Sequence, residues 1–122
     1  MSVHLRLTSA TSGVITAADL GKMKPDSVFV NTSRSRLLGS GVLLNALNSG
    51  QPGKAAIDVF DEEPLPENSC LWHTPNLIVT PHISADDGNT YVEMTLDLVF
   101  ANLERYLEGK PLNNIVDPAL GY

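Results

Sequence analysis

Four side chains of the kinds that move protons or grip anions stand at or just past short apolar runs: Arg34, Asp58, Glu63 and His82. An arginine presents a planar fork that matches a carboxylate or a phosphate. A histidine titrates near neutral pH and can give or take a proton, and a carboxylate beside it would orient the ring and stabilise its protonated form. Brought together, the set suits acid/base chemistry on an anionic substrate.

Bringing them together is the task of the elements between. Residues 28–30, 55–60 and 77–80 are short, apolar and continuous rather than alternating, which predicts parallel strands buried on both faces. Residues 3–7 alternate and predict a further strand, at an edge or only partly formed. Thr16 with Asp19 three positions on predicts a capped helix ending before Pro25. Ser40 is the expected cap of a second helix, with Val42, Leu43, Ala46 and Leu47 as its apolar stripe and Gly50 as its stop. Strands and helices in this order are the grammar of a doubly wound α/β sheet, in which ligands bind beyond the carboxyl ends of the strands. That rule places Asn31 to Arg34, Asp58 with Glu63, and Pro81 with His82 on one rim.

Beyond Thr80 a long helix is expected from about residue 86 to 107, with Asp86 and Asp87 as capping acids. Val92, Leu96, Val99, Leu103 and Tyr106 recur at spacings of four and three, most simply as a core stripe, with an interface over part of it as the alternative, and Gly109 ends the helix. The pattern groups residues 1–107 as one body that includes this helix, and leaves 108–122 as a tail that docks elsewhere.

The chain has 122 residues, about one domain's worth, and a formal net charge of −6. An acidic balance without a basic stripe argues against nucleic acid and anionic membrane surfaces as partners. The single cysteine, Cys70, excludes an internal disulfide and a multi-cysteine zinc site, and is expected to be a partly buried free thiol. With neither a leader pattern nor a long apolar span, the expected location is cytoplasmic.

Five stretches, in order and in spacing, resemble the D-isomer-specific 2-hydroxyacid dehydrogenases: Val3-His4-Leu5-Arg6-Leu7-Thr8-Ser9-Ala10-Thr11, Met23-Lys24 through Val30-Asn31-Thr32-Ser33-Arg34, Ala46-Leu47 through Gly50, Ile57-Asp58-Val59-Phe60-Asp61-Glu62-Glu63-Pro64, and Thr80-Pro81-His82-Ile83. The resemblance implies hydride transfer between NAD or NADP and a small 2-hydroxy or 2-keto acid. By it, Arg34 would anchor the substrate carboxylate, His82 would exchange the proton and Glu63 would pair with His82. Asp58 would sit near the nicotinamide, while Leu5, Thr32, Ser33 and Ser84, with Arg34 and His82, would line the cofactor. Ser35 and Ser84 stand where the family often has glycine, and Arg6 where it often has proline; none of the three replaces a group with a chemical role.

A larger departure is the family's phosphate-binding turn, G-x-G-x-x-G, a spacing that no glycines of this sequence take. The chain thus resembles the second half of a Rossmann-like sheet followed by a long helix and a tail. The expectation is an incomplete enzyme, inactive alone. The alternative is a noncatalytic association module built on the same fold. A receiver domain is disfavoured because no acidic pair precedes Asp19. An uncovered first strand would leave an open edge, so self-association or rearrangement at residues 1–20, and a homo-oligomer, are expected.

Overall fold

The structure, a computed structural model, describes residues 1–120. It divides into two compact units, Met1–Ser84 and the residues from Ala85 on. The division falls ahead of the long helix, which the sequence pattern had grouped with the strands.

The first unit runs β1 (Ser2–Val3), α1 (Ala17–Leu20), β2 (Val28–Asn31), α2 (Val42–Ser49), β3 (Lys54–Ile57) and β4 (Leu77–Val79). The four strands form one parallel sheet in the order β1-β2-β3-β4, an α/β fold of the expected kind. β1 is shorter than residues 3–7 because Val3 pairs with Asn31, the last residue of β2, so the chain beyond Val3 has no neighbour to pair with. β3 likewise stops at Ile57; Asp58, Val59 and Phe60 leave the ladder yet remain buried.

Local chemistry sets the helix ends. The Thr16 hydroxyl accepts from the Asp19 N–H at 3.3 Å, and the Asp19 carboxylate accepts from the Thr16 N–H at 3.0 Å, a reciprocal capping box. The cap of α2 is Gly41, not Ser40: the chain enters the helix through a left-handed residue at φ 72°, a conformation cheap only without a Cβ. At the other end Gly50, also left-handed, donates to the carbonyls of Ala46 and Leu47.

The strands are not buried on both faces. Phe29, Asn31, Ala55 and Ile57 are buried, whereas Val28 is 43% and Ile78 67% exposed. The register aligns Phe29 with Ala55 and Leu77 on one face, and Val30 with Ala56 and Ile78 on the other. The first face carries the core, in which Val3, Ile15, Leu20, Phe29, Leu37, Ala46, Leu47 and Ala55 pack together. Continuity of an apolar run thus misled, because it signals strand propensity but not how many layers cover the sheet.

The second unit contains α3 (Tyr91–Leu107) and the segment after it. The helix starts later than residue 86 because Asp87 is spent on a preceding turn: its carboxylate accepts from the Asn89 N–H at 3.0 Å and the Thr90 hydroxyl at 2.5 Å. Gly109, left-handed at φ 67°, closes the far end as expected. The tail folds back on the helix, with the Asn102 side chain accepting from the Asn113 N–H at 2.7 Å and donating to its carbonyl at 3.2 Å. No residue of α3 is buried, and the stripe expected as core is open: Leu96 is 47% and Tyr106 72% exposed. A single helix with an irregular tail has no second layer to cover such a stripe. No helix among the described residues is long and apolar enough to cross a membrane.

A one-sided sheet makes a specific demand on stability. Phe29→Ala, which empties a fully buried site, is expected to cost about 3–5 kcal/mol. Ile78→Ala on the open face is expected to stay within about 1 kcal/mol. Urea denaturation checks the contrast, and equal losses would mean that both faces are core.

Candidate active site

The rim at the carboxyl ends of β2, β3 and β4 does collect the expected chemistry. His82 follows β4 in a tight turn at φ 57°, an unusual conformation for a residue with a Cβ. Its Nδ1 lies 2.7 Å from Glu63 Oε2, and the other oxygen of Glu63 accepts from the Phe60 N–H at 2.9 Å. Both side chains stay open to solvent, His82 43% and Glu63 37% exposed. The hydrogen bond from His82 and then that from the Phe60 N–H hold the Glu63 carboxyl below its usual value, with the charge of Arg34 contributing less. A carboxylate only accepts, so Nδ1 carries the proton and Nε2 is the nitrogen left to exchange one.

Asp58 is 1% exposed. Its Oδ1 accepts from the Thr80 hydroxyl at 2.5 Å and the Ile83 N–H at 3.0 Å, and its Oδ2 from the Ser84 N–H at 2.9 Å. Burial opposes the charge, but donors on Thr80, Ser84 and Ile83 outweigh it and keep the carboxyl far below the normal range. The acid expected beside the nicotinamide is therefore engaged in clamping the turn that carries His82.

Arg34 follows β2, is exposed, and donates from Nη1 to the Ser33 carbonyl at 2.7 Å. Asn31 closes the loop: its Oδ1 accepts from the Ser33 N–H at 3.0 Å and its Nδ2 donates to the Arg34 carbonyl at 3.0 Å. Of the positions expected to line a cofactor, Ser33 donates its hydroxyl to the Leu5 carbonyl, joining two of them, and Ser84 is tied to Asp58. Thr32 is half-buried between Asn31 and Ser33.

Two residues have parts at this rim that the sequence did not state. Asn31 was placed on the rim, within the motif that ends in Arg34, but its bonds inside the loop were not legible. Trp72 donates to the Pro66 carbonyl at 2.9 Å and walls a cleft of about 480 Å³ that also meets Phe60, Leu65, Glu63, Pro81 and His82. Its position in the long connection between β3 and β4 was the available signal. Cys70, expected partly buried, is exposed. His4 makes a local bond to the Ser2 hydroxyl at 2.8 Å.

Replacing Asp58 tests the clamp. Asp58→Asn is expected to lower stability near neutral pH by about 2–4 kcal/mol, since an amide cannot accept at both ends. The carboxyl's folded value is depressed, so its contribution is full above the unfolded value near ~4 and is lost as pH falls toward the folded one. The gap between the proteins should therefore shrink below about pH 4, as measured by denaturation at a series of pH values.

Residues 1–84 match the family model described as D-isomer specific 2-hydroxyacid dehydrogenase, NAD binding domain. A glyoxylate reductase of Aeropyrum pernix is 35% identical over 96% of this chain and 35% of its own length. A D-isomer specific 2-hydroxyacid dehydrogenase from Xanthobacter autotrophicus Py2, solved with NADPH and MES, superposes with a TM-score of 0.86 at 35% identity, over 99% of this chain and 49% of that one. An NADPH-dependent glyoxylate/hydroxypyruvate reductase from Sinorhizobium meliloti, solved with NADP and sulfate, gives 0.87 at 34%, over 99% and 39%. The chain spans little more than a third of the length of the curated relatives it matches, 38% of one and 35% of another. With the family model matching residues 1–84, the chain belongs to the D-isomer specific 2-hydroxyacid dehydrogenase family, and residues 1–84 to its NAD-binding domain.

Proposed function

We propose that this chain supplies the substrate anchor and the acid/base pair for NAD(P)-dependent interconversion of small 2-keto and 2-hydroxy acids. The observation that carries the reading is the 2.7 Å contact of His82 Nδ1 with a Glu63 carboxylate on the same rim as the exposed Arg34. In reduction, the Arg34 fork holds the substrate carboxylate and draws electron density toward the keto oxygen. His82, protonated on both nitrogens, gives the Nε2 proton to that oxygen as it becomes a hydroxyl. Glu63 fixes the ring and stabilises its positive charge before transfer. In oxidation, neutral His82 takes the hydroxyl proton at Nε2.

The nicotinamide, when bound, supplies or receives the hydride. Leu5, Thr32, Ser33 and Ser84, grouped near the strand ends, fit its reactive end. Asp58 acts behind them, since its oxygens are engaged and it is 1% exposed. No glycine spacing in this sequence offers a G-x-G-x-x-G cradle for the pyrophosphate.

A second reading, a noncatalytic association module, is supported by the apolar residues exposed along α3 and by the open edge of β1. One experiment separates the two. The 122-residue chain is assayed with glyoxylate or hydroxypyruvate and either dinucleotide, alone and joined behind a relative's G-x-G-x-x-G segment. Turnover is expected only in the joined protein, and His82→Ala is expected to lower kcat by about 10²–10⁴-fold. Arg34→Ala is expected to abolish saturation by the keto acid. A joined protein that binds dinucleotide yet shows no turnover would favour the association module. Sedimentation of the chain alone tests self-association, and a strict monomer would contradict it.

A further inference from the structure

Asn31 and Asp58 are the buried polar residues among those described, at 2% and 1% exposure, and they are joined to each other: the Asp58 N–H donates to the Asn31 carbonyl at 3.0 Å. On one side, Asn31 closes the Arg34 loop through both ends of its amide. The orientation follows from the network, since exchanging Oδ1 and Nδ2 would set donor against donor at Ser33 and oxygen against oxygen at Arg34. On the other side, Asp58 holds residues 80–84 around His82. Ser33 is held at its N–H by Asn31 and at its carbonyl by the Arg34 guanidinium, besides its hydroxyl bond to the Leu5 carbonyl.

We propose that Asn31 is a positioning residue, which sets the placement of the Arg34 guanidinium and, through its backbone link to Asp58, ties that placement to the turn bearing His82. The proposal rests on the acid/base reading above. The chemistry explains the residue type. One short side chain must accept from the Ser33 N–H and donate to the Arg34 carbonyl, and an amide does both where a carboxylate or a hydroxyl of similar reach would leave one bond unmade or strained. An exposed arginine on a free loop would sample many directions, whereas a loop closed from within presents its fork in one.

The test uses the isotope-labelled 122-residue chain, with oxalate as the probe for the anion site and amide exchange as a probe-independent readout. In Asn31→Ala, the oxalate Kd is expected to rise about tenfold and exchange of the Ser33 amide to quicken by about the same factor, while Phe29 and Ala55 keep their protection. Asn31→Asp retains the acceptor and loses the donor, so it should restore Ser33 protection but not oxalate affinity, and it decides the matter if Asn31→Ala does not fold. Wild-type oxalate affinity in Asn31→Asp would overturn the proposal. So would a loss of affinity matched by a loss of core protection in both variants, which marks a merely structural role. If the wild-type chain binds no oxalate near Arg34, the acid/base reading fails instead. The positioning role is then judged by the Arg34 Nε–H signal and Ser33 exchange, and their invariance in both variants would overturn it.

Discussion

A buried carboxylate is the constraint on which the rest of the site depends. Asp58 is withdrawn from water, and a charge in that position persists only if the protein supplies the donors that water would have supplied. Those donors are the Thr80 hydroxyl and the N–H groups of Ile83 and Ser84, so satisfying one charge dictates the path of the chain on either side of His82. His82 then adopts its left-handed backbone because its neighbours are fixed. Its ring meets a second carboxylate, Glu63, which is itself steadied by the Phe60 N–H. Two acids within one short stretch thus have different tasks, the buried one shaping the backbone and the exposed one setting the proton.

The strands explain how so little chain accomplishes this. Parallel pairing places the ends of β2, β3 and β4 side by side, and a substituent one residue past each end falls on a common rim. The core that fixes the sheet lies on one face only, under α1 and α2, with Phe29 at its centre. The other sheet face and the stripe of α3 carry apolar residues without cover in their own units.

What was legible in the sequence was local or chemical. Thr16 and Asp19 announced their capping box because both partners lie within one turn, and Gly50 and Gly109 announced helix ends because few residues tolerate a left-handed backbone. Arg34, Glu63 and His82 were legible because strand-end position and residue type agreed. Less legible was whatever depends on a distant partner. The length of β1 is set by where β2 ends, and an apolar stripe states an appetite for burial without saying what satisfies it. Ser40 lost the α2 cap to Gly41 because the entry angle of the chain, not the supply of hydroxyls, decides that end. Asn31 was legible as a rim position, but its bonds to Ser33 and Arg34 were not, because they depend on how the loop closes.

The central claim is that Glu63 fixes the proton of His82 on Nδ1 and leaves Nε2 for the substrate. Nitrogen-15 NMR of the His82 ring reports this directly, since protonated and bare ring nitrogens differ widely in shift. The neutral ring is predicted to carry its proton on Nδ1, and Glu63→Gln should erode that preference. A neutral His82 protonated on Nε2 in the unmodified chain would contradict the account.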